Sequence, residues 1–440
     1  MKSSSTLYQM YLRPFTPEGT LKGAEKMLPH IASLGFDIVY LCPIFDADDD
    51  TDPKFWSPNH IRSQLTLPQN PYRMRDYYKI DEEYGTDADL HSFVKAAHEQ
   101  GLKVLLDLVY FHCGPRAAFI DEHPDYVVCD EDGKVTCGRW NFPQLNYESE
   151  GLREYLYGNM EYFIKEFDVD GYRCDVAEYV PLDFWAEGRR RILAINPDAI
   201  LVNEGDGVLY NEEVFQAYYN FKFGHNLRKA LRGEMSAADF VAAASAHRAQ
   251  MPPQSIPLNF LDNHDTVKDV LKKFDRIENI IGNDRMEAAM VLLYTAEGVP
   301  FIYNGNEICD TRKHTLYANR FNAPELSINW SNACTPAAER RMRILRELAN
   351  LHRNNDILVN GSMEWLTVGD KDNVVAFQRT YEGRSVIVVI NISGETVNTY
   401  VDAVIALESK VLMQNNLVVT SRKGRTAFVA EGGGYIVIEQ

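Results

Sequence analysis

A chain of 440 residues carrying 45 Lys and Arg against 63 Asp and Glu has a formal charge of −18, which argues against nucleic acid and anionic membranes as partners and leaves neutral ligands in play. Its 45% hydrophobic content is that of an ordinary globular protein, with length for one large barrel and a smaller domain. Seven scattered cysteines form no disulfide framework, and no run of about twenty apolar residues offers a membrane span. Residues 7–12 read as structure rather than as a leader, so the expected setting is the cytoplasm.

Short apolar runs alternate with helical stretches from the start: 7–11 then 20–34, 37–41 then 87–100, 104–108 then 152–167. The alternation continues through strands at 171–174, 199–202, 217–219, 255–260 and 299–303, with helices over 184–194, 237–248, 286–296 and 337–350. Eight strands, each followed by a helix, predict an α/β fold, a (β/α)8 TIM barrel spanning residues 1–111 and 150–357. Two connections are too long to be simple loops. Residues 43–84, rich in Asp, Pro and aromatics, are expected on the rim of the active face. Residues 112–149 read as a short inserted β subdomain after the third strand, with Glu131-Asp132-Gly133 as its hairpin signal and Cys129 and Cys137 facing each other as a reduced pair. From 358 to 440, alternating runs broken by Gly and Asn predict a C-terminal antiparallel β-sandwich.

In such a barrel the chemistry sits at the carboxyl ends of the strands. Asp107 and His112 close the third strand, Arg173 and Asp175 the fourth, Glu204 the fifth, and His264 and Asp265 the seventh. Arg173 and Asp175, two residues apart on a strand, point the same way, so the guanidinium is expected to hold Asp175 ionised. Three carboxylates, Asp175, Glu204 and Asp265, then converge on one pocket. Asp175 is expected as nucleophile, and Glu204, repelled by its neighbours, as the group that keeps its proton longer and acts as general acid and then base. Asp265 is expected to bind sugar hydroxyls, with His112 and His264 donating hydrogen bonds to the same sugar.

The segments Asp107-Leu-Val-Tyr-Phe-His112, Gly171-Tyr-Arg-Cys-Asp175, the strand ending in Glu204, and Phe260-Leu-Asp-Asn-His-Asp265, in this order, resemble the four signature regions of the α-amylase family, glycoside hydrolase family 13. The stretch from Asn70 to Thr86 is similar to the family's segment before the second barrel helix, and Val299-Pro-Phe-Ile-Tyr-Asn-Gly305 to its eighth strand. The resemblance implies Asp175, Glu204 and Asp265 as catalytic residues, with Tyr72, Asp107, His112, Arg173 and His264 binding substrate. Tyr72 would be a platform under the sugar at the cleavage point. It implies a retaining hydrolase of α-glucosidic bonds in starch-like glucans or maltooligosaccharides, working through a glycosyl-enzyme intermediate. An α-amylase type is expected first, then an exo-acting α-glucosidase or a transglycosylase. Non-catalytic binding relatives of the same fold are the remaining reading, against which stands the presence of all three carboxylates.

Two departures stand out. Many members place a calcium-ligating Asn before the His of the first segment, where this chain has Phe111, whose ring cannot bind a hard cation; no cofactor and no metal are therefore expected. Members commonly carry Lys-His after the nucleophile strand, where this chain has Glu178-Tyr179, so their grip on the sugar beyond the cleavage point is missing. Trp140, Phe142, Phe55 and Trp56 are candidates either to line sugar subsites or to pack the loops, and Asp48-Asp49-Asp50 reads as a solvated loop.

Overall fold

The computed structural model describes residues 1–267, 275–406, 408–421 and 424–440. Eight parallel strands close into a barrel: β1 Leu7–Met10, β2 Ile38–Leu41, β3 Lys103–Leu108, β4 Gly171–Cys174, β5 Ile200–Asn203, β6 Ala217–Tyr219, β7 Ile256–Asn259 and β8 Val299–Tyr303. Their spatial order is β1-β8-β7-β6-β5-β4-β3-β2, with each strand between its sequence neighbours and β1 pairing with both β2 and β8. The strands are short apolar runs because helices cover them outside and side chains fill them inside, and almost every strand residue is buried. Gly171 opens β4 at a φ of 142°, where an added Cβ would lie 2.0 Å from the Ile200 carbonyl oxygen. Only glycine allows β4 and β5 to approach so closely there.

The barrel helices follow the expected spans, with three differences. The stretch 20–34 is two short helices, Leu21–Glu25 and Leu28–Ser33, because Pro29 supplies no N–H and suits only the first turn of a new helix. A helix at Phe221–Leu231, outside the expected spans, follows β6 directly and buries Phe223, Leu227 and Leu231 on one face. The helix before β8 begins early, at Glu278, and kinks at Gly282 where φ is 74°.

The segment 112–149 holds two single-turn 3-10 helices and isolated bridges, His112 to Gln144, Val127 to Leu145 and Cys129 to Val135, instead of a sheet. Cys129 sits opposite Val135, so Cys137 is not its cross-strand partner, and both thiols are free. The rim segment 43–84 contributes a two-stranded antiparallel ribbon, Phe45–Ala47 with Met74–Ile80.

The tail is antiparallel: β9 Ser362–Trp365, β10 Val374–Tyr381, β11 Arg384–Asn391, β12 Val397–Val401, β13 Lys410–Ser421 and β14 Thr426–Glu439. These form one six-stranded sheet whose last strand pairs with β12 along residues 426–430 and with β11 along residues 435–439, the change falling at Gly432–Gly434. Side chains alternate between two cores. Val375, Phe377, Val386, Val388 and Tyr435 join the barrel's core, while Val374, Ala376, Ile387, Val389 and Ile436 pack in a separate one.

Candidate active site

β3 and β4 run side by side with Asp107 opposite Arg173, and the Arg173 guanidinium reaches out of that register to three carboxylates. Its Nη1 lies 2.6 Å from Asp107 Oδ1 and 2.7 Å from Asp175 Oδ1, and its Nη2 lies 2.7 Å from Glu204 Oε1. Arg173 is therefore not the private partner of Asp175, as the two-residue spacing implied. It holds Asp175 and Glu204 at once, and charge pairing alone does not tell them apart.

Burial decides their proton affinities first. It pushes Asp175 well above the usual carboxylate range and Glu204 upward too, against the opposing pull of Arg173. Glu204 adds to the rise at Asp175, and Asp265 to the rise at Glu204. The expectation that Arg173 simply holds Asp175 ionised gives way to a buried cluster in which burial and the charge of Glu204 raise Asp175 against that pull. Glu204 is further placed by the Val176 backbone, whose N–H donates to Oε2 at 2.8 Å. That residue is in the left-handed region, at φ 37° and ψ 46°, a conformation a β-branched side chain adopts only under constraint.

Asp107 and Arg173 lie beneath the cavity rather than on its wall. Both are 1% exposed, and Asp107 Oδ2 accepts from the hydroxyls of Tyr40 at 2.5 Å and Tyr72 at 2.9 Å. Through these contacts Asp107 orients Arg173 and Tyr72 from below. The cavity above, of about 190 Å³, is lined among others by Tyr72, His112, Asp175, Glu204, His264 and Asp265.

Each remaining side chain has its own fixture. Tyr72 stacks on His264 with ring centroids 5.1 Å apart and planes at 7°. His264 Nδ1 accepts from the Gln9 amide of β1 at 2.8 Å, which leaves the proton on Nε2 to be donated. His112 is different. Its Nε2 lies 2.7 Å from the Tyr72 carbonyl, which can only accept, so that nitrogen carries the proton. Burial pushes the ring down to about 4, leaving Nδ1 as an acceptor instead of the expected donor. After β7, Asn263 accepts the backbone N–H groups of Asp265 and Thr266 at 2.9 Å, a turn that lifts Asp265 to the cavity with its side chain 39% exposed.

Trp140 and Phe142 line the cavity, Phe55 does not, and Trp56 packs behind the wall. The sequence offered no motif for Gln9, Tyr40, Val176 or Tyr317. Their roles come from barrel closure and from loops that meet only in space.

The Phe111 ring sits 5.2 Å from Tyr179 and 6.0 Å from Trp140, both under the guanidinium of Arg139. Aromatic rings and a guanidinium do not fit calcium. The acidic run is equally occupied: Arg73 contacts Asp48, and Arg75 and Arg116 contact Asp49. Among the described residues no three His, Cys, Asp or Glu side chains are grouped to hold a metal, and no helix is long and apolar enough to cross a membrane.

The model of the "Alpha amylase, catalytic domain" family matches residues 4–134 and 135–365. A cyclomaltodextrinase from a Bacillus species is 27% identical over 399 residues, covering 85% of this chain and 65% of its own length. Neopullulanase 2 of Thermoactinomyces vulgaris is 27% identical over 412 residues, covering 86% and 63%. The chain thus spans just under two thirds of the length of these curated relatives. Among solved structures, the maltogenic α-amylase AmyB of Thermotoga neapolitana superposes over 100% of this chain and 99% of its own, with a TM-score of 0.84 at 24% identity, a likeness of fold. With the family match running through all four barrel segments that carry the clustered carboxylates, the chain belongs to the α-amylase family.

Proposed function

We propose that this protein is a retaining hydrolase of α-glucosidic bonds in maltooligosaccharides or starch-like glucans. The observation that carries the reading is the gathering of Asp175 and Glu204 on one buried guanidinium, with Asp265 opening on the same cavity. The names of the relatives, a cyclomaltodextrinase and a neopullulanase, support the substrate class.

In this reading Asp175 attacks the anomeric carbon while Glu204 gives its proton to the departing glycosidic oxygen. Glu204, now ionised, takes a proton from water as that water displaces Asp175. Burial raises Glu204 against the pull of Arg173 and the charge of Asp265 adds to the rise, which suits the group that this reading makes the acid. Tyr72 and His264 present a flat surface and an Nε2–H donor to the sugar, and Asp265 accepts from its hydroxyls.

Loss of either carboxylate is expected to lower kcat on maltooligosaccharides, by about 10²–10⁴-fold for Glu204→Gln and more for Asp175→Asn. Azide separates the roles. With α-glucosyl fluoride, Glu204→Ala is expected to form the α-glucosyl azide and Asp175→Ala the β-anomer. Near-normal turnover by either variant, or the reverse pairing of anomers, would overturn the assignment.

A further inference from the structure

We infer that the site takes glucan chains from their non-reducing ends, because a wall of stacked rings closes it on the side of the retained sugar. The inference rests on the hydrolase reading above. In that mechanism Glu204 protonates the leaving oxygen, so the departing part of the chain lies toward the β4–β5 rim from which Glu204 comes. On that side Val176 lines the cavity, and Tyr179 beyond it is 47% exposed. The sugar kept on Asp175 points its own 4-hydroxyl the other way, toward the rim above β8, β1 and β2.

On that rim two loops meet. Ser57 and Asn59, from the connection after β2, and Leu316 and Tyr317, from the connection after β8, face the cavity. The Tyr317 ring, 2% exposed, stacks on His60 with centroids 4.5 Å apart and planes at 10°. His60 in turn stacks on Trp56 at 4.1 Å and 5°. The Ser57 and Tyr317 hydroxyls are 3.2 Å apart and bridge the loops directly. Burial, with the charge of Arg73 adding to it, pushes His60 down to about 4, so the middle ring of the stack stays neutral at ordinary pH.

Behind the stack Arg13 ties the same two loops a second time. It is 3% exposed and donates to the carbonyls of Leu316 at 2.6 Å and Gln69 at 2.8 Å, while pairing with Glu83 at 2.9 Å. Two loops joined by a ring stack, a hydroxyl pair and a buried guanidinium form one wall rather than two flaps with a gap between them. A chain running past this point would have to break all three ties. The site therefore receives a chain end, and its first products are glucose or maltose.

The test compares maltoheptaose with maltoheptaose capped at its non-reducing end as the 4,6-O-ethylidene acetal, with products followed by chromatography. The wild-type protein is expected to shorten the free chain, releasing glucose or maltose first, and to cleave the capped chain at least about 100-fold more slowly, since a clash built against one substrate is what sets specificity here. Comparable rates on both chains, or early mixed oligosaccharides, would overturn the inference while leaving the hydrolase reading intact. No cleavage of either would overturn both. His60→Ala, which removes the middle ring and touches neither catalytic carboxylate, is expected to raise the capped-to-free ratio at least about tenfold. An unchanged ratio in a folded variant would show that the stack does not form the barrier.

Discussion

Arg173 shows what a single residue does in this site. It was readable as the partner of Asp175 because strand alternation is local, but its contact with Glu204 depends on how the barrel wall turns from β4 to β5, which no spacing rule contains. The same holds for Asp265. Its charge raises the proton affinity of Glu204, so Asp265→Asn is expected to lower it. The alkaline limb of kcat/KM for an activated aryl maltoside is then expected to move to lower pH; an unmoved limb would mean that the two charges do not sense each other. Val176 makes a second case. Holding a β-branched residue in the left-handed region costs about 1 kcal/mol, and glycine's extra freedom in the unfolded chain costs roughly 0.5–1 kcal/mol. Val176→Gly is therefore expected to leave the urea midpoint nearly unchanged. It should still lower kcat, because the N–H that fixes Glu204 Oε2 is no longer held in place. Undiminished kcat would remove Val176 from the positioning of the acid.

At the scale of elements, all eight strands could be read from runs of three to six mostly apolar residues, since a parallel strand covered on both faces has no exposed side to blur its pattern. Loops follow no such rule. The wall over β1 is assembled from residues 13, 56–60, 69 and 315–317, and its parts become neighbours only when the barrel closes. One short element also sets a pH dependence. The turn Asn306–Ile308 after β8 buries Glu307, whose oxygens accept from Tyr8 Oη at 2.7 Å and the Gly305 N–H at 2.8 Å. Burial, only partly offset by these bonds, pushes its carboxyl up to about 7. In the unfolded chain the group titrates near the ordinary Glu value. The stability it contributes is thus complete below about pH 4.5 and is lost as pH rises to about 7. That change amounts to roughly 3 kcal/mol. In Glu307→Gln the Tyr8 hydroxyl can turn to accept, and the unfolding free energy from urea titrations is expected to fall less between pH 5 and 7 than in the wild type. An identical slope would assign the pH dependence elsewhere.

At the scale of the whole molecule, the tail was legible as antiparallel strands, but not the way its two faces divide. One face completes the barrel's core and the other holds a core of its own. Tyr435 Oη donates to Glu287 at 2.7 Å, and Arg340 pairs with the same carboxylate at 2.8 Å, so polar ties reinforce the apolar contact. A protein ending at residue 361 would uncover the side of the helix Glu278–Thr295 that packs on the tail and strip Glu287 of one partner. It is expected to be insoluble or to melt well below the full chain; a soluble truncation with unchanged melting temperature and kcat would show that the barrel stands alone.

The pairing of β1 with β8 has a consequence for how the protein is made. Leu7 has Phe301 as its register partner, so the first strand of the barrel waits, with one edge unpaired, through the synthesis of nearly three hundred residues. Tyr435 comes later still. Until its last strand emerges the barrel is an open sheet with unpaired edges, which makes the unfinished chain prone to aggregate.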